Sequence, residues 1–185
     1  IYDVSAEYKG YRVENTVTVK LTVSLLNDVF TYNSKYEVGV IDVNGQPSNG
    51  DVLLSIGGKN YTLTADKGVA GMTVSLKQGK YDIKIINLKT GEVKNQTISV
   101  VNRIDSNKDL TMYYGAKRYD AVRVLDDNGN VAKTVKVTFT IGGKTYSANT
   151  DDKGVAYLKI NLKPGTYKIT ANYKGFKVSN RIIST

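Results

Sequence analysis

The same alternating stretch occurs twice in this chain, in the same phase, and that repetition constrains the fold more than any other feature. Ile56-Gly57-Gly58-Lys59-Asn60-Tyr61 recurs as Ile141-Gly142-Gly143-Lys144-Thr145-Tyr146. Asp66-Lys67-Gly68-Val69-Ala70 recurs as Asp152-Lys153-Gly154-Val155-Ala156, one residue further on, with the extra residue beside Asp151 in a turn where insertion is cheap. Between and beyond these marks Val52, Leu54 and Ile56 match Val137, Phe139 and Ile141. Likewise Ala70, Met72, Val74 and Leu76 match Ala156, Leu158, Ile160 and Leu162, while Tyr81, Ile83 and Ile85 match Tyr167, Ile169 and Ala171. Successive side chains of a strand point to opposite faces, so a slip of one residue turns the whole apolar set outward. A phase kept by both copies therefore names the core. The helical spacing i, i+3, i+4 is sustained nowhere, and the expectation is an all-β chain.

A repeat of this size is a domain, not a solenoid unit. Turn residues cut each copy into short runs: Asn44-Gly45 and Asn128-Gly129, Gly57-Gly58 and Gly142-Gly143, Lys9-Gly10 and Lys174-Gly175. Such pairs supply the positive φ of tight hairpins. Each copy also carries Leu-x-x-Gly-x-Tyr, ending at Tyr81 and at Tyr167. In a two-sheet sandwich this Tyr marks the corner between sheets, its ring inward and its hydroxyl bonded to backbone a few residues upstream. The spacing predicts two tandem Ig-like antiparallel β-sandwich modules with an extra N-terminal β-hairpin. In the second module strands A to G are expected near 109–114, 119–126, 134–141, 144–149, 155–162, 166–172 and 176–183.

The extra hairpin comes from a gapless match. Tyr2-Asp3-Val4-Ser5-Ala6-Glu7-Tyr8-Lys9-Gly10-Tyr11 and on to Asn15 tracks Tyr167 through Asn180. Residues 1–20 therefore read as a supernumerary F–G hairpin of a preceding repeat, within a first module of 1–102 and ahead of a second of 103–185. A lone two-stranded hairpin is marginal in water. It is expected to pair with the first module's sheet, or with a neighbouring copy by self-association. The linker Val101–Lys108 is short and polar, with no Pro/Ser-rich tether, and predicts two modules end to end with limited bending.

Composition narrows the chemistry. There is no Cys and no His, which excludes thiol nucleophiles, histidine bases and thiolate or imidazole metal sites. It also rules out a disulfide framework, so each module must hold by its core. No window has the roughly 18 apolar residues of a membrane span, and no membrane insertion is expected. The opening Ile1-Tyr2-Asp3-Val4 already alternates like a strand, so no signal peptide is visible. The net charge of +9 is spread over single lysines such as Lys20, Lys59, Lys84 and Lys136. These read as solvent faces and blunted strand edges, or alternatively as attraction to an anionic wall polymer or lipid headgroups. No Arg cluster or basic run with interleaved aromatics points to nucleic acid.

No catalytic, cofactor or metal site is expected. The carboxylates Asp42, Asp66, Asp126, Asp127, Asp151 and Asp152 fall in turns, where Asp serves local hydrogen bonding. Asp126-Asp127-Asn128-Gly129 lacks the alternate-residue spacing of a calcium loop. Asn60-Tyr61-Thr62 and Asn95-Gln96-Thr97 are N-x-Thr acceptors, so Asn60 and Asn95 are candidate glycosylation sites. Lys35 with Asn95, and Lys117 with Asn180, stand in the chain order of an intramolecular isopeptide bond; a solvated Lys and a strand-end Asn is the plainer reading.

Gly-Lys-x-Tyr, Asp-Lys-Gly-Val-Ala, Leu-Lys-x-Gly-x-Tyr and Tyr-x-Gly-(Tyr/Phe)-x-Val-x-Asn together resemble the Ig-like repeats of adhesin-like cell-surface proteins of methanogenic archaea. The first module departs at Gln78, where the second has Pro164, and at Leu88-Lys89-Thr90-Gly91 in its F–G turn. The segment from Asp152 to Tyr167 is also similar to bacterial collagen-adhesin stalk modules and transthyretin-like domains. The resemblance implies a non-catalytic, extracellular, cell-surface stalk or adhesion module. Its partners are then neighbouring Ig-like modules, with an anionic cell-wall polymer or a surface glycan as further candidates. A secreted filament subunit assembling by hairpin addition and a carbohydrate- or wall-binding module are the alternatives.

Overall fold

The computed structural model describes residues 1–185, the side chain of Val74 excepted; that expected core position lies outside what is described. Eight strands build the first module: β3 (Val23–Leu25), β4 (Val29–Thr31), β5 (Ser34–Val40), β6 (Gly50–Ile56), β7 (Lys59–Ala65), β8 (Val69–Val74), β9 (Gly79–Asn87) and β10 (Val93–Val101). Eight more build the second: β11 (Ile104–Ser106), β12 (Leu110–Met112), β13 (Arg118–Val124), β14 (Lys136–Ile141), β15 (Lys144–Asn149), β16 (Val155–Ile160), β17 (Gly165–Tyr173) and β18 (Phe176–Ser184). Ahead of both lie β1 (Tyr2–Tyr8) and β2 (Tyr11–Val17).

The two modules share one topology. A sheet ordered β3-β5-β8 faces one ordered β4-β10-β9-β6-β7, and β11-β13-β16 faces β12-β18-β17-β14-β15. Neighbours run antiparallel except β4 beside β10 and β12 beside β18, which are parallel. The chain is all-β, two Ig-like sandwiches in tandem. Inward residues of the facing sheets make two separate cores. One holds Phe30, Tyr36, Val38, Leu54, Ile85 and Ile98, with the Phe30 and Tyr36 rings stacked at 4.1 Å. The other holds Val122, Phe139, Ala156, Ile169 and Ile182. Each buried aliphatic contributes about 1.5–3 kcal/mol, and with no disulfide these cores carry the fold.

Three expectations change. The strand near 144–149 pairs with β14 in the larger sheet, so it is not the D strand of the smaller one. The Gly142-Gly143 turn forces this, because a two-residue hairpin returns the chain beside the strand it has just left. The linker is shorter than 101–108, since β11 already occupies Ile104–Ser106. Finally, β1 and β2 form a two-stranded sheet of their own and join no strand of the first module. The hairpin is exposed along its whole length. Its turn at Lys9-Gly10 (φ 48° and 80°) matches that at Lys174-Gly175 (φ 48° and 82°).

Candidate functional site: the junction between the modules

With β10 ending at Val101 and β11 starting at Ile104, Asn102 and Arg103 are the whole connection. Asn102 stays half-exposed, whereas the Arg103 side chain lies between the modules and is fully buried, 0% exposed. Its Nε donates to the carbonyl of Tyr32 in the first module at 2.7 Å. Its Nη1 meets Asp127 Oδ1 of the second, also at 2.7 Å. The guanidinium stands 5.7 Å from the centre of the Tyr173 ring, within cation–π range. An arginine suits this place because its planar fork reaches several acceptors at once and sheds water more readily than an ammonium.

The second module brings two loops to the seam. In the turn after β13, Asp126 Oδ1 accepts from the backbone N–H groups of Asn128 and Asn130, both at 2.9 Å, which frees Asp127 to face the linker. Beside it, the tip joining β17 to β18 places Lys174 Nζ 2.8 Å from the same Asp127 carboxylate. Burial alone would push the Asp127 carboxyl up. The hydrogen bonds from Lys174 and Arg103, with their charges, outweigh it and hold the group below the ordinary carboxylate range.

The first module answers with the strand β4 and its flanks. Thr31 Oγ1 donates to the Asp126 carbonyl at 2.8 Å, and Asn27 Nδ2 to Asn128 Oδ1 at 2.9 Å. The Tyr32 ring lies 5.4 Å from that of Phe176, tilted by 55°. Gly129 (φ 80°) brings bare backbone so close that a Cβ there would stand 2.8 Å from Val29 Cγ1. The seam is thus polar at its rim, apolar beneath, and pinned by one buried cation. What it does is fix one module against the other.

Sequence reasoning passed over Arg103. Its signal was there, a lone Arg in a linker followed by an Asp-Asp turn, but it shows only once register leaves that linker two residues. The other singled-out residues lie elsewhere. Tyr81 donates to the Lys77 carbonyl at 2.9 Å and Tyr167 to that of Lys163 at 3.1 Å, each ring half-buried against its own core. Asn60 and Asn95 are exposed in one row across the first module's larger sheet, Asn60–Ser55–Lys84–Asn95, and line a shared open cleft of about 670 Å³. Lys35 is paired with Glu37 at 2.7 Å, not with Asn95. Asn180 is buried, and its amide donates to Asp120 Oδ1 at 2.8 Å and to the Lys108 carbonyl at 2.7 Å, while Lys117 is exposed.

No protein-family model matches the chain, and no curated protein matches it. Solved structures do. The D00-D0 domain of intimin is 14% identical, with 89% of this chain and 98% of that chain covered at a TM-score of 0.43. The I9-I11 tandem of titin is 11% identical, covering 98% and 72% at 0.46. Invasin, a bacterial integrin-binding protein, is 16% identical, covering 90% and 40% at 0.36.

Proposed function

We propose that this chain is a non-catalytic spacer, a stiff segment of an extracellular, cell-surface stalk or adhesion array built from Ig-like modules. The buried Arg103 carries the reading. A flexible tether would leave that side chain in water, whereas here one cation is bonded to both modules across a two-residue link. In this reading the modules are 1–102 and 103–185, and residues 1–20 are the F and G strands of a preceding module, of the repeat type that the sequence resembles in methanogen surface proteins. The dispersed lysines then face an anionic wall polymer. Heteronuclear NMR relaxation on the full chain tests the stiffness. Both modules share one rotational correlation time, and Arg103→Ala combined with Asp127→Ala gives each its own. Independent tumbling in the unsubstituted chain overturns the reading.

A secreted subunit that polymerises through its hairpin is the second reading. One observation favours it: Tyr2, Val4, Tyr8, Tyr11 and Val13 are all exposed on a sheet with nothing against it. Light scattering on the full chain separates the two, with concentration-dependent growth abolished by Val4→Asp and Val13→Asp favouring the subunit.

A further inference from the structure

The far end of the second module repeats the face on which the junction is built. In the first module β4 runs beside β10, with Val29 opposite Ser99 and Thr31 opposite Val101. In the second, β12 runs beside β18, with Thr111 opposite Ile183 and Met112 opposite Ser184. Both G strands are fixed by the corner tyrosines, Tyr81 opposite Ile98 and Tyr167 opposite Ile182. Val29, Tyr32 and Val101 therefore correspond to Thr111, Tyr114 and Thr185. The turn agrees as well: a left-handed residue follows the tyrosine in both, Asn33 at φ 57° and Gly115 at φ 81°.

The exposure is opposite. At the seam Val29, Tyr32 and Val101 are half-buried, and at the far end Thr111, Tyr114 and Thr185 are exposed, Tyr114 by 57% and its neighbour Tyr113 by 79%. Threonine keeps the β-branched shape of valine, so the bed that receives Gly129 in the built junction is preserved in outline. Two polar contacts are not. Tyr113 stands in the place of Thr31, whose hydroxyl bonds the Asp126 carbonyl, and Asp109, in the place of Asn27, is held by Arg181 at 2.9 Å.

We infer that the Thr111–Tyr114–Thr185 face is a docking surface for the N-terminal end of another module of this repeat, joined in line. The partner it fits has an Asp-Asp-Asn-Gly turn and a Tyr-Lys-Gly-aromatic tip, the latter a form this chain carries twice, at Tyr8–Tyr11 and Tyr173–Phe176. The partner enters in line rather than from a separate molecule because the locking arginine belongs to a two-residue linker leaving β10. Tyr114 takes the part of Tyr32, its ring against the incoming tip and its carbonyl toward the incoming arginine. The inference rests on the stalk reading, since it applies the same seam to the opposite end.

The test is the full chain extended after Thr185 by a second copy of residues 102–185, with spin-label distance distributions measured across both seams. Expected are narrow distributions at each, with Tyr114→Ala broadening only the new one, by about two-fold or more as a tethered pair gains freedom. A narrow built seam with a broad new one overturns this inference and leaves the stalk reading standing. Two broad seams overturn both. A new seam that stays narrow with Tyr114→Ala removes Tyr114 from the proposal.

Discussion

Arg103 Nε lies 2.7 Å from the carbonyl oxygen of Tyr32, a residue 71 positions earlier and in the other module. The bond matters because of what surrounds it. The carbonyl belongs to a turn just past β4, where no ladder partner takes it, and an unpaired buried carbonyl costs about 1–3 kcal/mol. The cation has left water completely, and its compensation is this carbonyl, the Asp127 carboxylate and the Tyr173 ring. Each partner belongs to a different element, so Nε and Nη1 find their acceptors only when both modules are in place, while Nη2 stays buried without a hydrogen-bond partner.

Arg103→Ala should therefore uncouple the modules more than it weakens either core. Removing one member of a buried ion pair costs on the order of 3–5 kcal/mol. The cost here falls below that range, because the Asp127 side chain is 40% exposed to water and Lys174 still neutralises it. Urea unfolding followed by tyrosine emission should pass from one transition to two. Arg103→Lys should restore little, since an ammonium cannot serve both acceptors in the same plane. An unchanged single transition in the alanine variant counts against the lock.

Gly129 and Gly45 offer a matched comparison. They occupy the same turn in the two modules, with φ of 80° and 79°, so alanine meets the same backbone strain at each, about 1 kcal/mol. Nothing lies within 4 Å of a Cβ on Gly45, whereas one on Gly129 meets Val29 Cγ1 at 2.8 Å. Gly129→Ala should cost about 1–3 kcal/mol more than Gly45→Ala, and Val29→Ala should recover most of that excess. Equal urea midpoints for the two alanine variants would show that the seam yields at Val29 without cost.

The architecture was legible because period two carries it. Val52, Leu54, Val137 and Phe139 alternate in phase, and all four are fully buried. Which sheet the fourth strand joins was not legible from alternation, which is the same on either face; the Gly57-Gly58 and Gly142-Gly143 turns held that information and decided it. Tyr36 and Asp120 show another limit. They occupy the same inward position of β5 and β13, one an aromatic stacked on Phe30, the other a carboxylate bonded to Asn180. A polar residue in an apolar phase reads as a lapse until its partner is seen sixty residues away. Burial, with the nearby Tyr81 second, pushes the Tyr36 hydroxyl up to about 12. Arg103 was hidden for a different reason, since a linker has no period to violate.

Tyr81→Phe and Tyr167→Phe should each weaken their own module by about 0.5–1.5 kcal/mol, the worth of one hydrogen bond to backbone. The rings themselves stay packed, each over its glycine, with Gly79 and Gly165 leaving room for them. Because the two corners share no neighbours, the double variant should show the sum of the single effects. Calorimetry of all three variants checks this, and a cooperative loss in the double variant would mean that the corners communicate through the seam.

Asp120 gives the second module an inverted pH response. The residue is 3% exposed, and its Oδ2 is buried without a partner. Burial raises its carboxyl, and the bond from Asn180 only partly opposes this. A folded-state value above the unfolded one means that the native state binds the proton more tightly. The resulting stability is fully present below the ordinary carboxylate range and is lost as pH rises through the raised value. Asp127 and Asp109 are shifted down and act in the opposite sense, so a bare pH profile would mix the two. Comparing Asp120→Asn with the unsubstituted chain isolates the effect. An amide keeps the oxygen that accepts from Asn180 and cannot ionise. The two chains should therefore unfold at the same urea concentration in acid, and the variant should pull ahead as the pH approaches 7. A variant less stable than its parent at neutral pH would show that the ionised carboxylate is tolerated there and that its charge supports the fold.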